Sequence, residues 1–335
     1  MTSTEPMDIS VYITSYNQKR YLIEAIESVL NQTLRPSQIV VVDDCSTDGS
    51  QEVIAGYASK YGDLFTPVFH TSNQGIAPTR NDGLRATTGS HVTHVDGDDR
   101  FLPTKLETEA RLLQDNPDAQ IAFSDYYYIN GEGTRTGRWA LREKPPQGDV
   151  FCQAFARDFP NHSLFRNALI NREAWQSIGL YDPNLSIYED YDMLIRLTKR
   201  LRVVYSDEPL SEYRLHEVGL SRASADKHLA AVEYIYEKNL PLLSGVSSAS
   251  TREVEGKLGE WRARIARRAV EEAVEDARQQ GRGYALRRYL QMVRAQPAYS
   301  VQYRPILRIL LPDAAYESLR AISRRVRRYA SSVQS

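Results

Sequence analysis

The 335-residue chain carries 42 Lys and Arg against 43 Asp and Glu, a formal net charge of −1, with 41% hydrophobic and 25% charged residues. That length buries a proper core, and that balance excludes disorder, a fibrous repeat and nucleic acid as a general partner. Cys45 and Cys152 lie far apart with no CxxC spacing, which fits a reducing compartment and excludes a cysteine-built zinc site.

The opening MTSTEPMDISVYI has no basic region ahead of an apolar stretch, and no segment approaches about 18 uninterrupted apolar residues, so a cytoplasmic chain that does not span a membrane is expected. From Ile9, the β-branched run ISVYITSY predicts a strand. YLIEAIESVLNQ predicts a helix, with Leu22, Ile26, Val29 and Leu30 on one face. IVVVDD reads as a central parallel strand ending in two carboxylates, followed by a helix over 48–61. PVFH over 67–70 predicts a third strand, RNDGLRATTG over 80–89 a helix ending at a Gly cap, and HVTHVD from His91 a fourth strand. This βαβαβαβ alternation predicts an α/β fold: a mostly parallel central sheet with helices on both faces and ligands beyond the carboxyl ends of its strands. Beyond Pro103 come a helix (KLETEARLLQ), a strand (AQIAFSDYYYI), a turn region over 131–148 and mixed elements to about Ser221. From Ala223 the composition turns to Ala, Glu, Arg and Leu, and SGVSSAST over 244–251 reads as a linker. Val254, Leu258, Trp261 and Ile265 form a helical stripe, so a helical appendage is expected over 223–335. Its end, from Leu319 through Ile322, Val326 and Tyr329, sets an apolar stripe beside Arg320, Arg324, Arg325, Arg327 and Arg328. Such a helix either lies on an anionic membrane surface or packs against the catalytic domain or a second subunit of a homo-oligomer.

The acid-rich segments carry the chemistry. HVDGDD places Asp96, Asp98 and Asp99 directly after an apolar strand, where hard oxygen ligands suit Mg²⁺ or Mn²⁺ completed by substrate phosphates; the alternative is a polar turn. In VVDDCSTDGS, Asp44 at a strand end can accept from a base or ribose, while Asp48 reads as a helix cap. YEDYDMLIRL offers Glu189 and Asp190, able to deprotonate a hydroxyl or simply to complement a helix dipole. YRLHEVGLS sets Arg214 and His216 as an alternate pair, suited to a phosphate and a metal, though a lone His is more often structural. Trp139, Phe151, Phe155, Asn161 and His162 either touch an acceptor or pack.

In this order the segments resemble family 2 glycosyltransferases, whose nucleotide-sugar-binding fold is called GT-A, over roughly Ile9 to Ser221: SVYITSYNQKRYLIEAIESVLNQT, VVDDCSTDGS, SNQGIAPTRNDGL, HVDGDDRFLPTKLE, YEDYDMLIRL and YRLHEVGLS. The resemblance implies a donor half over 1–115 and an acceptor half over 116–222. Thr14, Tyr16, Asp44, Asn73 and Arg80 would line the nucleoside pocket, with Asp98 near the ribose or sugar. Asp99 would be the principal metal ligand, with Asp96 and Asp98 in the same cluster, and His216 and Arg214 completing the metal and pyrophosphate contacts. Asp190 would be the base and Glu189 would position a substrate. Cys45 stands where the family often has Gly. The implied reaction is inverting, Mn²⁺- or Mg²⁺-dependent transfer from a nucleoside diphosphate sugar, UDP by preference, to a hydroxyl of a glycan or lipid-linked glycan in bacterial surface polysaccharide or glycan synthesis. The alternative is a non-catalytic nucleotide-sugar-binding or scaffold protein of the same fold. A sugar nucleotidyltransferase is disfavoured because TSYNQKRYL lacks a Gly-rich phosphate loop, and a HAD-type phosphatase because DGDDR departs from DxDx[TV].

Overall fold

A computed structural model describes residues 7–215 and 224–295, with scattered positions from 307 to 318. His216 and the basic stripe from Leu319 to Tyr329 lie outside the described residues.

Every residue of β1 (Ile9–Ser15) is buried, which makes it a central strand covered on both faces. The helix α1 (Lys19–Leu30) packs Leu22, Ala25, Ile26 and Val29 inward. Next to β1 runs β2 (Gln38–Asp43) in parallel, followed by α2 (Ser50–Tyr61) and β3 (Phe65–Phe69), which is parallel to β2. The helix α3 (Ile76–Ala86) starts four residues earlier than the sequence pattern predicts. Gly75, at φ 89°, turns the chain, and Thr79 Oγ1 donates to the Gly75 carbonyl at 2.7 Å. Gly89 is not its cap, because the helix stops at Thr87. A Cβ at Gly89 would lie 2.8 Å from the Ser10 nitrogen, so glycine is needed there to let the chain pass β1 closely. The strand β4 (His91–Asp96) then runs parallel to β1 on its other side.

The second half of the domain extends the same sheet. β5 (Arg100–Phe101) precedes α4 (Lys105–Asp115), β6 (Ile121–Ile129), its antiparallel partner β7 (Arg135–Arg138) and the short α5 (Phe151–Ala156). β8 (Leu169–Asn171), α6 (Arg172–Ile178), α7 (Glu189–Thr198) and β9 (Val203–Arg214) follow. The strand order is β3-β2-β1-β4-β8-β6-β9-β5. β8 is antiparallel to both β4 and β6, and β5 is antiparallel to β9, so the sheet is parallel on the β1 side and mixed beyond β4. A core of Val11, Ile13, Leu22, Ile26, Val41, Val95, Leu106 and Leu169 links the two halves. Trp139, Phe151 and Phe155 are buried, and the Trp139 indole donates to the Pro160 carbonyl at 2.9 Å. These three are packing residues.

Two compact units are present: residues 7–215 with 234–257, and 224–233 with 258 onward. The second is helical, drawing on α8 (Ala225–Asn239), α9 (Ser248–Arg278) and α10 (Arg282–Ala295). Small residues (Ala225, Ala266, Ala269 and Ala285) join Leu229, Val270, Val274 and Tyr289 in its core. The segment read as a linker is partly helical: Ser247 Oγ accepts from the Ser250 nitrogen at 3.1 Å and caps α9. Among the described residues no helix is long and apolar enough to cross a membrane.

Candidate functional site

The carboxyl ends of β1, β2 and β4 lie side by side, and the acid-rich segments follow directly from them. At the end of β2, Asp43 accepts from Ser46 and Gln51 and closes its own loop. Cys45 in that loop has φ 64°, the left-handed region, which accounts for a glycine being at home at this position. Asp44 is buried. Its two oxygens accept from His70 Nδ1 and from the backbone nitrogens of Gln74 and Gly75, each at 2.8 Å, so it fixes the loop that presents Asn73. Asn73 and Tyr16 are exposed at the rim. Asp48 sits at the start of α2 and accepts from the Ser50 nitrogen at 3.0 Å and the Lys19 nitrogen at 2.8 Å.

The end of β4 carries Asp96, bound by Thr14 Oγ1 at 3.0 Å and by Arg80 Nη2 at 2.9 Å to both oxygens. Burial pushes its carboxyl up, but Arg80, His94, Arg166 and the Thr14 hydroxyl outweigh burial and hold it at about 2. Thr14 and Arg80, both expected in the nucleoside pocket, therefore anchor Asp96. Gly97 follows because a Cβ would meet the Thr14 carbonyl at 2.7 Å. The turn closes through the Asp99 nitrogen donating to the Asp96 carbonyl at 2.9 Å.

Pairing of β5 with β9 brings Arg214 beside this turn. Its backbone nitrogen donates to Asp99 Oδ1 at 2.8 Å and its Nε to the Asp98 carbonyl at 2.8 Å. The rest of the guanidinium reaches the carbonyls of Asn130 and Gly131 and the Glu24 carboxylate at 2.7 Å. Arg214 thus holds the acidic turn in place from behind. Asp98 is half-buried beside it.

Asp99 is buried, and its Oδ2 has no hydrogen-bond partner among the described residues. Burial, with Asp98 and Asp96 adding repulsion, drives its carboxyl well above the usual range. Among the described residues no three acidic, His or Cys side chains are set to hold a metal ion. An orphaned oxygen on Asp99 with the Asp98 carboxylate next to it nonetheless fits Mg²⁺ or Mn²⁺, which take one or two carboxylates and complete their shell from substrate phosphate and water.

The third acidic segment opens α7. Tyr188, in the left-handed conformation at φ 63°, turns the chain so that Glu189 and Asp190 start the helix. Asn81 docks this region on α3, exchanging hydrogen bonds with the Tyr181 backbone at 2.8 and 2.9 Å. Arg80 joins the two acidic clusters, since its Nε lies 3.5 Å from Glu189 Oε1 while its Nη2 holds Asp96. Asp190 accepts from the Tyr191 nitrogen at 2.7 Å and lines a cavity of about 30 Å³ with Arg80, His94, Arg166, Trp175 and Tyr181. Asp192, by contrast, is enclosed by Arg196, Lys238 and Asn239 and is structural.

Burial, and Asp190 after it, raise the Glu189 carboxyl to about 7 against the opposing pull of Arg80. A carboxyl raised in the fold stabilises it below its unfolded value and loses that stabilisation as pH climbs through about 7. Glu189→Gln, which copies the protonated acid, is therefore expected to gain roughly 1–3 kcal/mol on wild type between pH 5 and pH 8. Denaturant midpoints at the two pH values check this; a gap that stays constant would mean Glu189 ionises freely.

Three participants escape a reading of the sequence: Asn81, His70 and Arg166. Arg166 is partly buried, with its guanidinium 3.9 Å over the Tyr213 ring. Burial works against its charge, yet Tyr213, Tyr126, Asp190 and Asp99 hold its pKa above the ordinary range.

The chain is similar to several known proteins. TuaG of Bacillus subtilis, named a putative teichuronic acid biosynthesis glycosyltransferase, is 28% identical over 216 residues, 64% of this chain and 81% of that one. Among solved structures, Staphylococcus aureus TarS 1-349 in complex with UDP-GlcNAc matches with a TM-score of 0.61 at 18% identity, covering 89% of this chain and 84% of that one. The mannosyltransferase PcManGT of Pyrobaculum calidifontis, in complex with GDP-Man and Mn²⁺, matches with a TM-score of 0.57 at 17% identity, covering 94% and 84%. At such identities these two structures establish the fold, which is that of the GT-A glycosyltransferases. The family described as Glycosyl transferase family 2 matches residues 10–178, half of the chain, and the chain belongs to that family.

Proposed function

We propose that this glycosyltransferase transfers a sugar, with inversion, from a UDP-sugar to a hydroxyl of a glycan or lipid-linked glycan in the synthesis of a cell-surface polysaccharide. The observation that carries the reading is the convergence of two acidic clusters through one arginine: Arg80 touches both Asp96, in the strand-end acidic segment, and Glu189, beside Asp190. A strand-end cluster meeting a helix-start carboxylate supplies what a single displacement needs, a place for the leaving diphosphate and a base across from it. The name of TuaG supports the polysaccharide, and the UDP-GlcNAc bound to TarS supports the nucleotide.

In this reading Asp190 takes the proton of the acceptor hydroxyl as its oxygen bonds to the anomeric carbon and the bond from that carbon to the diphosphate breaks. Glu189, ion-paired to Arg80, sets the start of α7 so that Asp190 faces the acceptor. Asp99 and Asp98 hold the divalent ion, which when bound supplies positive charge to the departing diphosphate. Asp96 keeps the acidic turn in register through Thr14 and Arg80. Tyr16 and Asn73, exposed at the rim, meet the nucleoside, and Asp44 fixes the loop beneath it.

The test is a panel of UDP-, GDP- and dTDP-sugars with Mn²⁺, Mg²⁺ or EDTA, reading release of the nucleoside diphosphate. Metal-dependent release from UDP-sugars is expected. Release from GDP- or dTDP-sugars alone would move the donor to another base, and binding of a donor without release under any condition would favour the non-catalytic alternative.

A further inference from the structure

We propose that Arg166 is the side chain by which the protein itself grips the diphosphate of its donor, apart from any bound metal. The proposal rests on the reading of the site as one for a nucleoside diphosphate sugar. It is carried by the way Arg166 is held.

Tyr213 covers one face of the guanidinium, at 3.9 Å to the ring centroid. A guanidinium stacked on a ring keeps its N–H edges in plane and free, in the fork that matches two phosphate oxygens. No hydrogen bond or ion pair from these edges to another described residue is seen, although the Asp190 and Asp99 carboxylates both act on the charge. The other arginines of the site are committed, Arg80 to Asp96 and Glu189, and Arg214 to Glu24 and three backbone carbonyls. Among the described residues, Arg166 is therefore a cation on which both the proposed base and the proposed metal ligand act and whose donors no observed hydrogen bond takes up.

The backbone that presents it is under strain. Arg157, Asn161, His162 and Asn167 all have φ between 52° and 55°, left-handed values at non-glycine residues within one eleven-residue stretch. Strain of this kind persists where surrounding contacts enforce it, and it gathers at ligand-binding sites. Here the enforcement is visible. The Asn167 carbonyl accepts from Thr93 Oγ1 of β4 at 2.8 Å, and the Arg157 guanidinium donates to the His162 carbonyl at 2.9 Å. The loop is pinned to the strand that carries Asp96, so Arg166 keeps a fixed place relative to the acidic turn. Asn161 and His162 remain exposed on the same loop.

The experiment compares wild type, Arg166→Gln and Arg166→Lys by calorimetric titration with UDP and with inorganic pyrophosphate, in Mn²⁺ and in EDTA. Uridine binding is followed in parallel by ligand-observed NMR. Arg166→Gln is expected to weaken UDP and pyrophosphate about 10- to 100-fold with or without the metal, the scale of charge-assisted hydrogen bonds, and to leave uridine unchanged. Arg166→Lys is expected to recover part of the loss. If the Gln variant fails to fold by circular dichroism, the Lys variant carries the test, with weaker UDP binding and unchanged uridine expected. Unchanged UDP affinity in both variants, or equal weakening of UDP and uridine, overturns the proposal and leaves Arg166 a packing residue. If wild type binds neither UDP nor pyrophosphate, the reading of the site falls together with Arg166; if wild type binds and the variants match it, only Arg166 falls.

Discussion

Asp190→Asn is expected to lower kcat about 10²- to 10⁴-fold, the range for loss of a general base, with donor affinity close to that of wild type. The substitution is conservative in the fold. Asp190 Oδ1 accepts from the Tyr191 nitrogen at 2.7 Å, and the Asn amide oxygen can accept the same bond, so the start of α7 survives. What is lost is the ability to take up a proton. Asp190 lines the cavity with Arg80, Arg166 and His94, and burial holds His94 down at about 3, so at neutral pH His94 is uncharged and does not stand in as a cation. Single-turnover rates and Kd for the donor, measured on the same preparation, separate the two roles. A fall in donor affinity matching the fall in rate would make Asp190 a binding residue.

The strands and the acid-rich turns were legible because their signals are local. IVVVDD and HVTHVD are runs of β-branched residues that end in carboxylates, and a parallel strand closing on a site looks like this in any chain. The roles of individual residues were less legible, because they depend on contacts across long stretches of sequence. Arg80 was expected at the nucleoside; its partners Asp96 and Glu189 become visible only when α3, β4 and α7 are placed together. Arg214 was expected at the pyrophosphate, yet its reach to Glu24 joins positions 190 residues apart and turns it toward the scaffold. Arg166 had no motif to announce it. The strained loop beside it uses Arg, Asn and His in left-handed conformations, so it lacks the glycines that ordinarily mark such a path. The helix at 76–86 was misplaced at both ends: the pattern begins it at Arg80 and carries it to Gly89, whereas the chain enters it directly from the left-handed Gly75 and leaves it at Thr87.

Asp99→Asn is expected to reduce metal-dependent transfer roughly 10³-fold or more while leaving the protein as stable as wild type or more so at pH 8. The loss follows from the several kcal/mol that a bound divalent ion contributes to a charged transition state, at about 1.4 kcal/mol for each factor of ten. The gain has a separate cause. Burial, with Asp98 and Asp96 close by, holds the Asp99 carboxyl well above its usual range, so its ionised form is a burden on the fold. A carboxyl raised in this way stabilises the fold below its unfolded value and surrenders that contribution as pH rises, so a neutral amide is favoured most at high pH. The amide oxygen can still accept from the Arg214 nitrogen, as Asp99 Oδ1 does at 2.8 Å, and the turn keeps its anchor. The two readouts moving in opposite directions distinguish a residue kept for chemistry from one kept for the fold. Melting curves at pH 5 and 8 and a Mn²⁺ titration of transfer rate measure both. Full activity with an unchanged metal requirement would remove Asp99 from the metal site, and a large loss of stability at pH 8 would show its charge to be part of the scaffold.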